Sequence, residues 1–209
     1  MNIPPQNLRK GLWVFPSNIS SHGGTSWCLE FGDELVLIDC PAIIEQNIDF
    51  LRTLGTGKQS RIILTSREGH GNIRELQSLL GWSVLVQEQE AYLLPDLPGL
   101  ETFETEAETV SGLRLLWTPG PTPGSCVVYA PPPRNVLFCG RLLIPLNSNN
   151  LGIFRHRRTF HWARQQKSLE NLLSWLPSDS FPSLASGASL LAVHPVKLFE
   201  WDSLKLLTE

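Results

Sequence analysis

Short apolar runs rich in β-branched and aromatic residues recur along the chain at residues 12–15, 26–31, 34–39, 61–65, 83–87, 113–118, 126–130, 135–139 and 189–193. Their length and composition predict strands, and the runs that do not alternate with polar residues predict strands buried on both faces. Between some of them, apolar residues fall at helical spacing: Ile44, Ile48 and Leu51, then Ile73, Leu76 and Leu80, then Leu169, Leu172, Leu173 and Leu176. Each predicted helix meets a residue that ends helices, at Gly55, Gly81 and Pro177 respectively. A last amphipathic stretch, residues 196–207, predicts a C-terminal helix on the same core. Strands come first, then strands alternating with helices, then the same pattern again. That order predicts two sheets packed face to face with helices outside.

Composition narrows the class. The 209 residues are 42% hydrophobic and 18% charged, which suits one globular domain spanning 1–209. The 16 Gly and 16 Pro are dispersed, so neither a disordered nor a repeat-built chain is expected. The opening residues lack the apolar core of a signal peptide, and no segment reaches the roughly 18 apolar residues of a membrane span. A soluble, cytoplasmic protein with no membrane partner is the expectation. Cys28, Cys40, Cys126 and Cys139 stand alone in apolar segments, which predicts buried free thiols rather than a metal or redox pair.

Charge is distributed unevenly. The net charge is -3, yet the 61 residues from Thr109 to Leu169 contain no Asp or Glu and eight Arg or Lys. Nine basic residues and all 20 acidic ones occupy the rest of the chain. A basic segment of this kind can form an anion-binding face. The sequence pI of about 6.0 argues against nucleic acid as the partner.

Four stretches in order resemble the metallo-β-lactamase superfamily. Thr25-Ser26-Trp27-Cys28-Leu29, followed by Glu34-Leu35-Val36-Leu37-Ile38-Asp39-Cys40-Pro41, is similar to the family's opening hairpin and its "LIDTG" turn. Arg61-Ile62-Ile63-Leu64-Thr65 stands where the family writes a strand ending in Thr before H-x-H-x-D-H. Residues 117–125, WTPGPTPGS, resemble "TPGHTPGS", and residues 135–141, NVLFCGR, resemble "vLFtGD". Residues 84–90, VLVQEQE, resemble the connecting "vyah..e". The resemblance runs from about residue 11 to residue 200. It implies an α+β fold: an αββα four-layer sandwich of two mixed sheets flanked by helices, with a site where loops from both sheets meet.

At that site the family holds one or two metal ions, usually zinc or iron, which activate a water for hydrolysis. Matched position by position, the two His of H-x-H become Ser66 and Glu68, the Asp becomes His70, and the final His becomes Gly71. The His of the TPG turn becomes Pro121, and the bridging Asp becomes Arg141. The last family His alone has a match, His194. A guanidinium about 4 Å from a divalent ion would cost roughly 8 kcal/mol at an effective dielectric of about 20. The turn residues that hold backbone shape, Asp39, Thr65, Gly120, Gly124 and Gly140, are all kept.

A chain that keeps the frame and loses the donors is expected to be a non-hydrolytic binding or regulatory pseudoenzyme without a metal cofactor. Its pocket would be formed by Ser66, Glu68, His70, Pro121, Arg141, Arg155 and His194, with Glu68 and Arg141 paired across it. The Arg-rich segment 154–162 would add cationic, aromatic-flanked surface for an anionic small molecule or an acidic protein partner. The alternative is a hydrolase with an atypical mononuclear zinc or iron site built on His70, Glu68 and His194, or with His70 and Glu68 as acid and base. A third class, an interaction subunit, draws on the seven Trp residues.

Overall fold

A computed structural model describes residues 3–188 and 198–205. The first sheet is a run of seven strands in sequence order: β1 (Gln6–Arg9), β2 (Leu12–Val14), β3 (Trp27–Phe31), β4 (Glu34–Ile38), β5 (Gln59–Leu64), β6 (Ser83–Gln87) and β7 (Leu100–Phe103). Neighbours from β1 to β4 pair antiparallel, and from β4 to β7 they pair parallel. Parallel pairing requires crossovers, and these are supplied by α1 (Glu45–Gly55), α2 (Ile73–Leu80) and the single turn α3 (Glu88–Ala91).

The chain then enters a second sheet through β8 (Glu106–Glu108), β9 (Arg114–Trp117), β10 (Cys126–Ala130) and β11 (Val136–Gly140), paired antiparallel. A two-residue hairpin, β12 (Ile144–Pro145) and β13 (Leu151–Gly152), leads to α4 (Trp162–Trp175). The strand β14 (Ser183–Ser186) returns parallel to β11, and β15 (Leu204–Lys205) joins β13.

The alternation of side chains along each strand explains why the sequence reads as unbroken apolar runs. Val36, Ile38 and Ile63 face Leu115, Val128 and Phe138 of the second sheet in a central cluster. Leu35, Leu37, Ile62 and Leu64 point the other way, against Ile48 and Leu51 of α1 and Ile73 and Leu76 of α2. On the far side, Val127, Tyr129 and Leu137 meet Leu169 and Leu172 of α4. Both faces of each central strand are therefore buried, in the order helix, sheet, sheet, helix. This is the expected α+β sandwich.

Two expectations change. The amphipathic stretch near the C-terminus is not a helix where described: the Phe199 amide and carbonyl pair with Leu184, at 2.9 and 2.7 Å, and Trp201–Ser203 form one 3-10 turn before β15. Pairing with the sheet satisfies the backbone groups that a helix would have bonded internally. The strands β1, β7, β8 and β12 to β15 were too short or too polar to show a period. The strand expected at 189–193 lies outside the described residues. All four cysteines are free and buried, as expected.

Gly120 makes a strict packing demand on this frame. It lies at φ +143° in the TPG turn, against the Gln165 backbone of α4, which occupies the space a Cβ would need. Gly120→Ala is expected to lower the unfolding free energy by on the order of 3 kcal/mol, through strain and displacement of α4. Urea denaturation of the two proteins measures this, and an unchanged midpoint would contradict the packing.

Candidate functional site

The site begins with Asp39, just past the end of β4. Its backbone adopts φ 61°, a left-handed conformation that Asp tolerates better than most residues. The buried carboxylate accepts from the Thr65 amide at 2.8 Å and from the Thr65 hydroxyl at 2.7 Å, which ties the end of β4 to that of β5. Gly69 backs onto the same carboxylate so closely that any Cβ would overlap it. The Cys126 amide reaches the Thr65 carbonyl at 2.8 Å, bringing the second sheet to the same edge. Gly140, at φ 52°, carries the chain from there into Arg141.

Two adjacent residues of the 3-10 turn Arg67–Gly69 form ion pairs with different loops. Arg67 Nε donates to Glu90 Oε2 at 3.0 Å, and Glu90 is fully buried in α3. The other Glu90 oxygen accepts from the Thr122 hydroxyl at 2.5 Å and the Gly124 amide at 3.0 Å, which fixes the TPG turn. Glu68 faces Arg141, whose Nε lies 3.5 Å from Glu68 Oε2, with 12% and 14% of the two side chains exposed. Arg141 Nη2 donates to the Ser21 carbonyl at 2.7 Å. Ser21 is itself held by its hydroxyl on the Cys40 carbonyl at 2.9 Å. Arg158 Nη1 approaches the second Glu68 oxygen at 3.8 Å from an exposed position.

Burial pulls the Arg141 pKa below the usual guanidinium value, against Glu68 and Asp39, which favour its charged form. It remains a cation, since guanidinium does not deprotonate in proteins. Burial also pushes the Asp39 carboxyl up to about 6, although the Thr65 hydrogen bonds and Arg141 pull it down. His70 is driven down to about 4, first by burial and then by the Arg67 charge, so its ring is neutral near pH 7.

The expected site residues therefore divide. Glu68 and Arg141 come together. Glu68 and Pro121 line an open cleft of about 310 Å³ with His22, Arg67, Arg158 and Phe160. Ser66 is fully buried and its Oγ has no hydrogen-bond partner. His70 is buried, and its Nε2 also lacks a partner. Arg155 is a correction: it is exposed and does not line the cleft. The turn 156–159, closed by the Thr159 amide on the His156 carbonyl at 2.9 Å, brings Arg158 to Glu68 instead. His194 lies outside the described residues.

Sequence reasoning missed Arg67, Glu90 and Ser21, and placed Arg158 only within the Arg-rich segment 154–162. Glu90 stood inside a motif that matched, but nothing in a motif says that its carboxylate is buried against an arginine. Ser21 acts through its carbonyl, which has no sequence signature.

No family model matches the sequence, and no curated protein matches it either. Its fold has clear counterparts among solved structures. The DIM-1 metallo-β-lactamase superposes with a TM-score of 0.72 at 14% identity, covering 97% of this chain and 94% of that one. BLEG-1, a B3 metallo-β-lactamase, gives 0.65 at 19% identity over 92% and 95%. A metallo-β-lactamase from Pontibacter korlensis gives 0.69 at 18% identity over 95% and 94%. The chain has the metallo-β-lactamase fold, as its four motifs implied.

The described residues at the family's metal positions include one carboxylate, Glu68, and one imidazole, His70. Among the described residues no three His, Cys, Asp or Glu side chains converge as a site would need. Glu68 is engaged by two arginines, Pro121 has no donor, and a guanidinium stands in place of the bridging carboxylate.

Two predictions follow from this geometry. Arg141→Ala would leave Glu68 and the Ser21 carbonyl partly buried without their partner and is expected to cost on the order of 2 kcal/mol. Arg141→Lys, which keeps the charge but not the planar fork, should recover less than half of that in urea denaturation. The second concerns pH. Asp39 holds its proton more tightly when folded, so its contribution is full below about pH 4 and is lost as pH rises through about 6. His70 resists protonation when folded, so its contribution is full above about pH 6.5 and is lost as pH falls through about 4. Each is worth about 3 kcal/mol, and over pH 4–6.5 they oppose one another. Asp39→Asn should therefore reveal stability rising with pH across that window and His70→Gln stability falling. Parallel profiles for wild type and both variants would contradict the assignments.

Proposed function

We propose that this protein is a non-hydrolytic binding or regulatory protein on the metallo-β-lactamase frame, its metal position taken over by an ion pair. One observation carries the reading: Arg141, at the position of the family's bridging carboxylate, reaches Glu68 and the Ser21 carbonyl at once. The cation that joins the loops is part of the chain. A guanidinium has five donors in a fixed plane and no open coordination position at which a water could be activated.

The surroundings support the same reading. Ser66, which stands for a ligand imidazole, is a fully buried hydroxyl, and His70, which stands for a carboxylate, is a buried neutral ring. The frame residues Asp39, Thr65 and Gly140 keep their structural contacts, so the fold is maintained while the donor chemistry is replaced. What remains open at the edge is a cleft with more arginine than carboxylate, which suits an anionic ligand or an acidic partner segment.

Metal analysis by mass spectrometry, on protein purified without chelators, tests the proposal. Zinc, iron and manganese are each expected far below one equivalent per chain, and added zinc should not raise the melting temperature. Stoichiometric metal that survives dialysis, or a zinc-dependent rise in stability lost in Glu68→Ala, would overturn it in favour of a metal-dependent hydrolase.

A further inference from the structure

The cleft outside the Glu68–Arg141 pair is lined by an excess of positive charge and by apolar rings. Among the described residues Glu68 is the only carboxylate lining it, against Arg67 and Arg158, with Arg141 paired to Glu68 from within. Glu90 neutralises Arg67 only through Nε; Arg67 Nη2 is buried and has no hydrogen-bond partner. Arg158 is half exposed and approaches Glu68 at 3.8 Å, too far for a strong hydrogen bond, so it is free to turn toward a ligand at little cost. His22 adds an exposed imidazole at the rim.

The same cleft is lined by Pro121, Pro123 and Phe160, which is 52% exposed. The Phe160 and His161 amides donate to the Pro121 and Gly120 carbonyls at 3.2 and 3.0 Å, so this aromatic is fixed beside the cleft. The volume of about 310 Å³ is at the small end of the range for ligand pockets, about 300 Å³ and upward. It admits a small molecule rather than a polymer.

We infer that this cleft binds a small oxyanion, a phosphate monoester or a carboxylate, carried on a flat apolar group. The guanidinium of Arg158 engages the oxygens in the planar, two-donor manner that suits both anions, and Arg67 adds its positive charge beside them. The flat group packs on Phe160 and the proline rings. The inference rests on the proposed function above, because a metal in the position of Arg141 would rearrange Glu68 and with it Arg158.

Calorimetric titration of the full chain in chelator-treated buffer tests it, with phenyl phosphate, benzoate and inorganic phosphate as probes. Phenyl phosphate or benzoate is expected to bind at one per chain with a millimolar or tighter Kd. Arg158→Ala should weaken that binding at least fivefold. Phe160→Ala should weaken the aryl probes at least threefold and leave inorganic phosphate unchanged. Both side chains are exposed, so an unchanged melting temperature would show that each variant is folded. The inference is overturned if neither aryl probe binds, if Arg158→Ala binds them as tightly as wild type, or if inorganic phosphate binds as tightly as phenyl phosphate. Phosphate release from phenyl phosphate after zinc is added reads the other question separately: release would overturn the non-hydrolytic reading, whereas binding without release supports both.

Discussion

The guanidinium of Arg141 adds side-chain contacts to three loops at the edge of the two sheets. It meets a carboxylate from the turn after β5 and a carbonyl from the loop before β3, and it departs from the end of β11 in the other sheet. A metal ion would hold these loops with short bonds to donors from each. Here one hydrogen bond, from Arg141 Nη2 to the Ser21 carbonyl, and one ion pair, to Glu68 at 3.5 Å, connect them. The planar fork matters, because one donor faces Glu68 while another reaches Ser21, and the compact ammonium of a lysine could not span both.

Next to this pair, Arg67 and Glu90 form a second one of reversed polarity: here the turn supplies the cation and the neighbouring loop the anion. Adjacent residues thus carry opposite charges into opposite partners, and the turn from 67 to 69 is held from both sides. The buried Glu90 also accepts from Thr122 and Gly124, so the TPG turn keeps its shape although its family histidine is now Pro121. Asp39 works behind both pairs as a backbone brace. Its rise toward neutral pH and the depression of His70 have one common cause, the low polarity of a floor sealed by these contacts.

Much of the frame was legible in the sequence. The strands from β2 to β6 and from β9 to β11 are dense in β-branched and aromatic residues, and both of their faces are buried, so composition alone announced them. Helices α1, α2 and α4 each carry an apolar stripe that packs on a sheet. The described part of 196–207 was misread because an amphipathic period cannot tell a helix from a segment that pairs with the edge strand β14 at Phe199 and then turns into β15. At the site, the exchange of Asp for Arg at position 141 and the pairing of Arg141 with Glu68 followed from motif positions and charge. What did not follow was the backbone chemistry: the Ser21 carbonyl as acceptor, and the turn that presents Arg158 in place of Arg155. Both depend on local dihedral angles and closing hydrogen bonds that residue identity does not specify.

The account depends on Glu68 and Arg141 interacting with each other more strongly than with water or with the rest of the site. A double-mutant cycle of Glu68→Gln and Arg141→Gln, followed by chemical denaturation, measures that coupling directly. A favourable coupling of about 1 kcal/mol or more is expected for a largely buried charge pair. Additive single-variant effects, with coupling near zero, would mean that the two side chains merely lie close together and that something else holds the loops.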